Sequence, residues 1–228
     1  MRKLLLAGVA SFFSTGAMAV PLLSAGTIES GGLTFSNFSC TAPDPVGSTI
    51  GGCANIDVSA LPGAGLTFAT VLSTLAGDGA GEPNVSGQLT SGLDVVIGYT
   101  VTSPSLLTSI GLNFNGAVAG STGFARITEQ AFTDATRSQL LGTTTVGTVD
   151  GILSRNLTLD PGAFSAFIVK DIQLGSISTT GMLTTSTIST INQPYSSTPT
   201  PVPEPMSLAL FGAGLLGLGV ARRARKQA

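Results

Sequence analysis

Between residues 33 and 191 apolar and polar residues alternate in short runs, and Gly, Asp and Pro interrupt the runs before any could complete an amphipathic helix. A period of two puts successive side chains on opposite faces of an extended chain. The runs lie at 33–36, 65–71, 94–102, 109–114, 124–129, 152–159, 166–174 and 182–191. Only 10% of residues are charged, so the Lys and Glu that usually cover helix surfaces are missing, whereas Gly numbers 30; that balance favours strands and turns. Eight or more short strands punctuated in this way predict an all-β domain, an antiparallel β-sandwich or jelly roll. A solenoid would need a fixed internal repeat, and none is visible. Residues 164–169 also read as a helix. The apolar phase predicts a core containing Phe35, Phe68, Val96, Tyr99, Leu112, Phe114, Ile127, Phe167, Val169 and Ile172.

The ends of the chain follow a different logic. Six of the ten cations stand at Arg2, Lys3, Arg222, Arg223, Arg225 and Lys226. Arg2 and Lys3 precede an apolar run at 4–13, and small residues follow at Ala17 and Ala19. This is the order of a secretory signal peptide, so residues 1–19 are predicted to be removed by signal peptidase after Ala19 during export. The body from Val20 to Glu204 then holds four cations against twelve carboxylates, a net charge of −8. Such a body is unsuited to nucleic acid or to anionic lipid. The β domain is predicted to span residues 20–191. Alternating prolines without apolar periodicity make 192–202 an extended linker.

At the C-terminus, residues 206–221 form an apolar run of sixteen residues. As a helix it would be about 24 Å long, against a hydrocarbon core of about 30 Å. Ala209, Ala213, Gly217 and Ala221 recur every fourth residue, giving a small-residue face on which another helix can close. The basic tail 222–228, with Arg222, Arg223, Arg225 and Lys226, would hold the far end on the cytoplasmic side. These features alone fit either a handle for a membrane partner or a plain stop-transfer anchor.

Pro203, Glu204 and Pro205 stand directly before that run. Tripeptide, Gly-rich helix and Arg-rich end, in this order over residues 203–228, closely resemble the PEP-CTERM sorting signal of secreted bacterial proteins. The resemblance implies that exosortase, a membrane transpeptidase-like enzyme, reads the segment and cleaves near the tripeptide. It also implies a Gram-negative host that makes exopolysaccharide and biofilm. The expected product is an exported, transiently membrane-anchored protein that ends at the cell surface or outside the cell.

Two cysteines, Cys40 and Cys53, flank a loop of turn-forming residues. An oxidising destination predicts a disulfide between them, stabilising by roughly 3 kcal/mol in the chain-entropy model. Because the chain has no histidine, triads built on His and His-based metal hydrolysis are excluded. Two cysteines without histidine do not make a zinc site either. Carboxylate pairs such as Asp78 with Glu82, or Glu129 with Asp134, are the remaining route to catalysis. Asp78, Glu82 and Asn84 offer oxygen donors for Ca²⁺ on a Gly-rich stretch, without the EF-hand spacing; a plain surface turn is the better reading. With no Trp and only two Tyr, the usual stacking platforms for sugars are scarce.

The sequence therefore predicts a non-catalytic surface or matrix protein that needs no cofactor. Its partners would be the secretion machinery, exosortase and exopolysaccharide. The alternative is a carbohydrate-binding module or a carboxylate-based carbohydrate-active enzyme.

Overall fold

The computed structural model describes residues 18–198 apart from 44, 78, 85 and 121. The expected signal helix with Ala17, the Ca²⁺ candidate Asp78, and the whole segment 203–228 with Pro203, Glu204 and Pro205 lie outside the described residues. So do its small-residue positions (Ala209, Ala213, Gly217, Ala221) and its basic tail (Arg222, Arg223, Arg225, Lys226).

Twelve strands and two short 3-10 turns, Leu22–Ser24 and Cys53–Asn55, form the described chain with its loops, and the sheet is antiparallel. They are β1 (Val20–Pro21), β2 (Ile28–Ser30), β3 (Leu33–Thr41), β4 (Ser48–Ile50), β5 (Ile56–Ala60), β6 (Gly65–Ala76), β7 (Glu82–Pro83), β8 (Leu89–Ala119), β9 (Gly123–Phe132), β10 (Leu140–Gly147), β11 (Ser154–Ser178) and β12 (Thr184–Thr198). The main path runs β1-β5-β6-β12-β8-β11-β9-β10, with β2, β3, β4 and β7 on side branches. All-β antiparallel architecture is thus as expected, and residues 164–169 are strand.

The sandwich-like shape comes from one sheet folding over on itself. β8 and β11 pair along nearly their whole length, but the register shifts twice across residues 103–108 and 159–164, where only Leu107 and Ala163 pair. Thr158 pairs with Ser109 and Ser165 with Thr102, so each strand spends the same number of residues on the corner. Pro104, Pro161 and Gly162 lie in it. Proline cannot donate to a ladder and glycine has no side chain to hold the pleat, so the pairing yields there without ending. Beyond the corner, β12 lies beside residues 108–117 of β8, where Thr108 Oγ1 donates to Ser196 O and Thr187 Oγ1 to Ala117 O, both at 3.4 Å. Yet Gln193 and Tyr195 of β12 touch Tyr99, which stands before the corner. Only a folded sheet brings both halves of β8 to β12.

Two pairs of runs that read as separate strands, 94–102 with 109–114 and 152–159 with 166–174, are therefore each one bent strand. The core between the layers contains Phe35, Phe68, Tyr99, Leu112, Ile127 and Ile172, all fully buried. Phe114 and Val169 are buried as expected. Val96 and Phe167 are only half-buried, because the inward phase runs through their neighbours Val95, Ile97, Ala166 and Ile168.

The linker begins later than its prolines suggest. Residues 192–198, expected to open it, continue β12, and Gln193 and Tyr195 point into the core. Pro194 is accommodated because its ring sits over Gly111, where an added Cβ would meet Pro194 Cγ at 2.7 Å. Ladder bonding resumes at once, with Tyr195 N donating to Ala64 O at 2.9 Å.

Local turn chemistry fixes the β2–β3 hairpin. Ser30 pairs with Leu33 across Gly31 and Gly32, whose φ values of 57° and 81° suit the two-residue turn that matches strand twist.

Candidate functional site

Four strands deliver polar side chains to the middle of the core. Glu129 lies on the inward phase of β9 between Ile127 and Ala131, and Lys170 stands directly opposite it on β11. Both are fully buried and form an ion pair through Lys170 Nζ and Glu129 Oε2. Gln193, from β12 in the facing layer, donates Nε2 to the same Glu129 oxygen. Tyr99 of β8 donates its hydroxyl to Gln193 Oε1 and shares a 2.8 Å hydrogen bond with the Tyr195 hydroxyl.

Aromatic rings enclose the group. The Lys170 ammonium lies 5.7 Å from the Phe68 ring centroid, and Phe68 and Phe35 pack on Tyr99 and Tyr195 with centroids 5.8 Å and 5.3 Å apart. A cation over a ring face in a dry site gains appreciably from the ring quadrupole. Burial pushes the Glu129 carboxyl up from its ordinary range, opposed by the charge of Lys170. Burial likewise raises both tyrosines. Glu129 Oε1 has no hydrogen-bond partner among the described residues.

The other face of β11 treats charge differently. Asp94 of β8 and Asp171 of β11 are neighbouring carboxyls, and the Oδ1 of each is buried without a hydrogen-bond partner among the described residues. Partial burial first, then the charge of Asp171 and its hydrogen bond, raises the Asp94 pKa. Gln173 Nε2 donates to Asp171 Oδ2 at 3.2 Å and accepts from Arg126 Nη2 through its own Oε1.

Sequence candidates for chemistry are dispersed. Glu129 and Asp134 do not form a pair: Glu129 is in the core, and Asp134 caps an exposed turn. Its Oδ1 accepts from Thr136 N at 2.9 Å. Hydrogen bonds from the Ser138 and Thr136 hydroxyls hold its carboxyl below the ordinary range. Glu82 is exposed on β7. Asn84 uses its Oδ1 within a turn, accepting from Ser86 N at 2.9 Å and Gln88 N at 3.0 Å. Among the described residues no three acidic or thiol groups gather as for a metal ion. A pocket of about 360 Å³ beside β9 has Arg126 and Asp150 in its wall and only one carboxylate.

Cys40, near the end of β3, is disulfide-bonded to Cys53, just before β5. Ala19 is exposed immediately before β1, whose first residue, Val20, pairs with Val58. The buried network escaped the sequence reading, although part of its signal was present. Lys170 and Glu129 each occupy a polar position in an alternating run, whereas Gln193 lies beyond the last run, in the stretch expected to be linker.

Residues 201–226 match the family model described as the PEP-CTERM protein-sorting motif. No curated protein matches the chain. The chain thus carries at its C-terminus the motif that exosortase recognises, and that motif marks an exported protein that reaches the cell surface through a membrane-anchored intermediate. Among the described residues no helix is long and apolar enough to cross a membrane. The run expected to do so, 206–221, lies outside them.

Proposed function

We propose that this is a non-catalytic structural or adhesive protein of the extracellular matrix, held at the inner membrane by residues 206–221 and released when exosortase cuts near Pro203, Glu204 and Pro205. The observation that carries the reading is the sorting motif at residues 201–226. The body behind it spends its strongest polar groups on its own packing: Glu129, Lys170 and Gln193 are fully buried and bonded to one another. Among the described residues the first strand begins at Val20, directly after Ala19, where the leader is expected to end. A disulfide suits the oxidising destination. Exopolysaccharide is the natural surrounding for such a protein, with the acidic sandwich as a spacer or adhesive unit.

The test replaces Pro203, Glu204 and Pro205 by Ala in a host containing exosortase and follows size and location of the product. A longer, membrane-held precursor is expected. Processing at the wild-type rate would reduce the tripeptide to a spacer.

One observation favours the carbohydrate-active alternative, namely the adjoining carboxyls of Asp94 and Asp171. Glycosidases hold their two carboxyls roughly 5–9 Å apart, to fit an intermediate or a water. Release of reducing sugar from the host polysaccharide, abolished in Asp94→Asn, would establish that reading instead.

A further inference from the structure

Amide exchange in a protein core needs five things in one place. They are a primary amine, a base touching it, a carboxamide, a donor on the carbonyl oxygen that becomes negative, and a proton source at the departing nitrogen. The centre of this domain holds all five. Lys170 supplies the amine and Gln193 the carboxamide, and both nitrogens bond to the single oxygen Glu129 Oε2. Two donors on one acceptor lie within about 6 Å of each other. The Gln193 amide is oriented by its neighbours, because a carboxylate only accepts and the Tyr99 hydroxyl donates to Oε1. Tyr99 is braced in turn by the Tyr195 hydroxyl at 2.8 Å. Lys170, Glu129 and Gln193 are all fully buried, so water is kept from competing with the amine.

We propose that Lys170 and Gln193 become joined by an intramolecular amide bond, with Glu129 carrying the protons and Tyr99 stabilising the oxyanion. Glu129 takes a proton from the Lys170 ammonium, and the free amine attacks Gln193 Cδ. The C–N bond forms as the carbonyl electrons move to Oε1, held by the Tyr99 hydroxyl. The second amine proton passes through Glu129 to Nε2 as the tetrahedral centre collapses and the Cδ–Nε2 bond breaks. One ammonia leaves, one secondary amide remains, and Glu129 ends protonated.

The product relieves the site electrostatically. A buried ion pair carries a desolvation penalty that its attraction repays only with full hydrogen bonding, and Glu129 Oε1 is without a partner among the described residues. After the exchange no charge is left in the core. Burial, which raises the proton affinity of Glu129, favours both the first transfer and the protonated end state. The link would tie β11 to β12, the last described strand, with Gln193 ten positions before Pro203. Force applied at the C-terminal segment would then meet a covalent staple between the two layers rather than hydrogen bonds alone. The inference stands on the core geometry and not on the matrix role.

Peptide mapping of the folded wild-type full chain tests it. After reduction, alkylation and digestion with trypsin and chymotrypsin, the expected product is a two-chain peptide joining Lys170 to Gln193. It should be lighter than its parts by one ammonia, with no tryptic cut after Lys170. Separate peptides with free Lys170 and unmodified Gln193 would overturn the proposal. Lys170→Arg keeps the charge but removes the amine, so the ammonia loss should vanish; its persistence in this variant would equally overturn the assignment.

Discussion

Lys170 and Asp171 are neighbours on β11, and the two faces of that strand handle their charges in opposite ways. Inward, Lys170 is paired with Glu129 and walled by aromatic rings. Outward, Asp171 faces another carboxyl, Asp94, and the tension is eased by proton affinity rather than by an opposite charge. The difference follows from the surroundings. A fully buried charge must have a partner or neutralise itself, whereas a half-exposed one is screened and tolerates a like neighbour at small cost. Inner polar groups therefore specify how the layers fit, and outer ones leave the fold nearly indifferent.

Removing one partner of the inner pair should have the largest effect. Lys170→Met strands the Glu129 carboxyl among rings and should lower unfolding free energy by about 3–5 kcal/mol, read from urea denaturation. A loss below about 1 kcal/mol would mean that the two faces are alike after all. Tyr195→Phe sharpens the contrast within the network. It deletes one hydroxyl and leaves Tyr99 bonded to Gln193, so a loss of about 1 kcal/mol is expected.

The smallest effect belongs to the outer face. Because the folded state raises the Asp94 pKa, the folded protein binds the Asp94 proton more tightly than the unfolded chain. The stability linked to that proton is complete below about pH 4, the ordinary carboxylate range, and is lost as pH rises through the raised value. Asp94→Asn should accordingly stabilise at pH 7 by less than about 1 kcal/mol, and the gain should disappear below about pH 4. Urea midpoints of both proteins at the two pH values check the sign. A destabilised variant at pH 7 would reverse the argument.

How much of this could be read from the sequence depended on whether the signal was local. Alternation at 65–71 and 124–129 placed Phe68 and Ile127 in the core, because period two is a property of the strand itself. Proline misled at Pro194, since what makes a strand proline acceptable there is Gly111 on the neighbouring strand, a contact that no local pattern contains. The bends of β8 and β11 were hidden for the same reason: Pro104 and Pro161 look like strand ends, and only the partner strand keeps the ladder running through them. Glu129 broke the apolar phase set by Ile127 and Lys170 the phase set by Ile172, whereas Gln193 stood in the stretch that its prolines marked as linker. That the three meet is a matter of folding over the corner. The tripeptide at 203–205 was legible because a sorting signal is read by another protein as a short linear order, without the fold.

We propose that the body is bracketed by two removable addresses. The most direct test is the intact mass of the protein recovered outside a host that contains exosortase. The expected chain begins at Val20, carries the Cys40–Cys53 disulfide and ends near Pro203–Pro205. A surface protein that keeps its sequence through Arg222, Arg223 and Ala228 would contradict it.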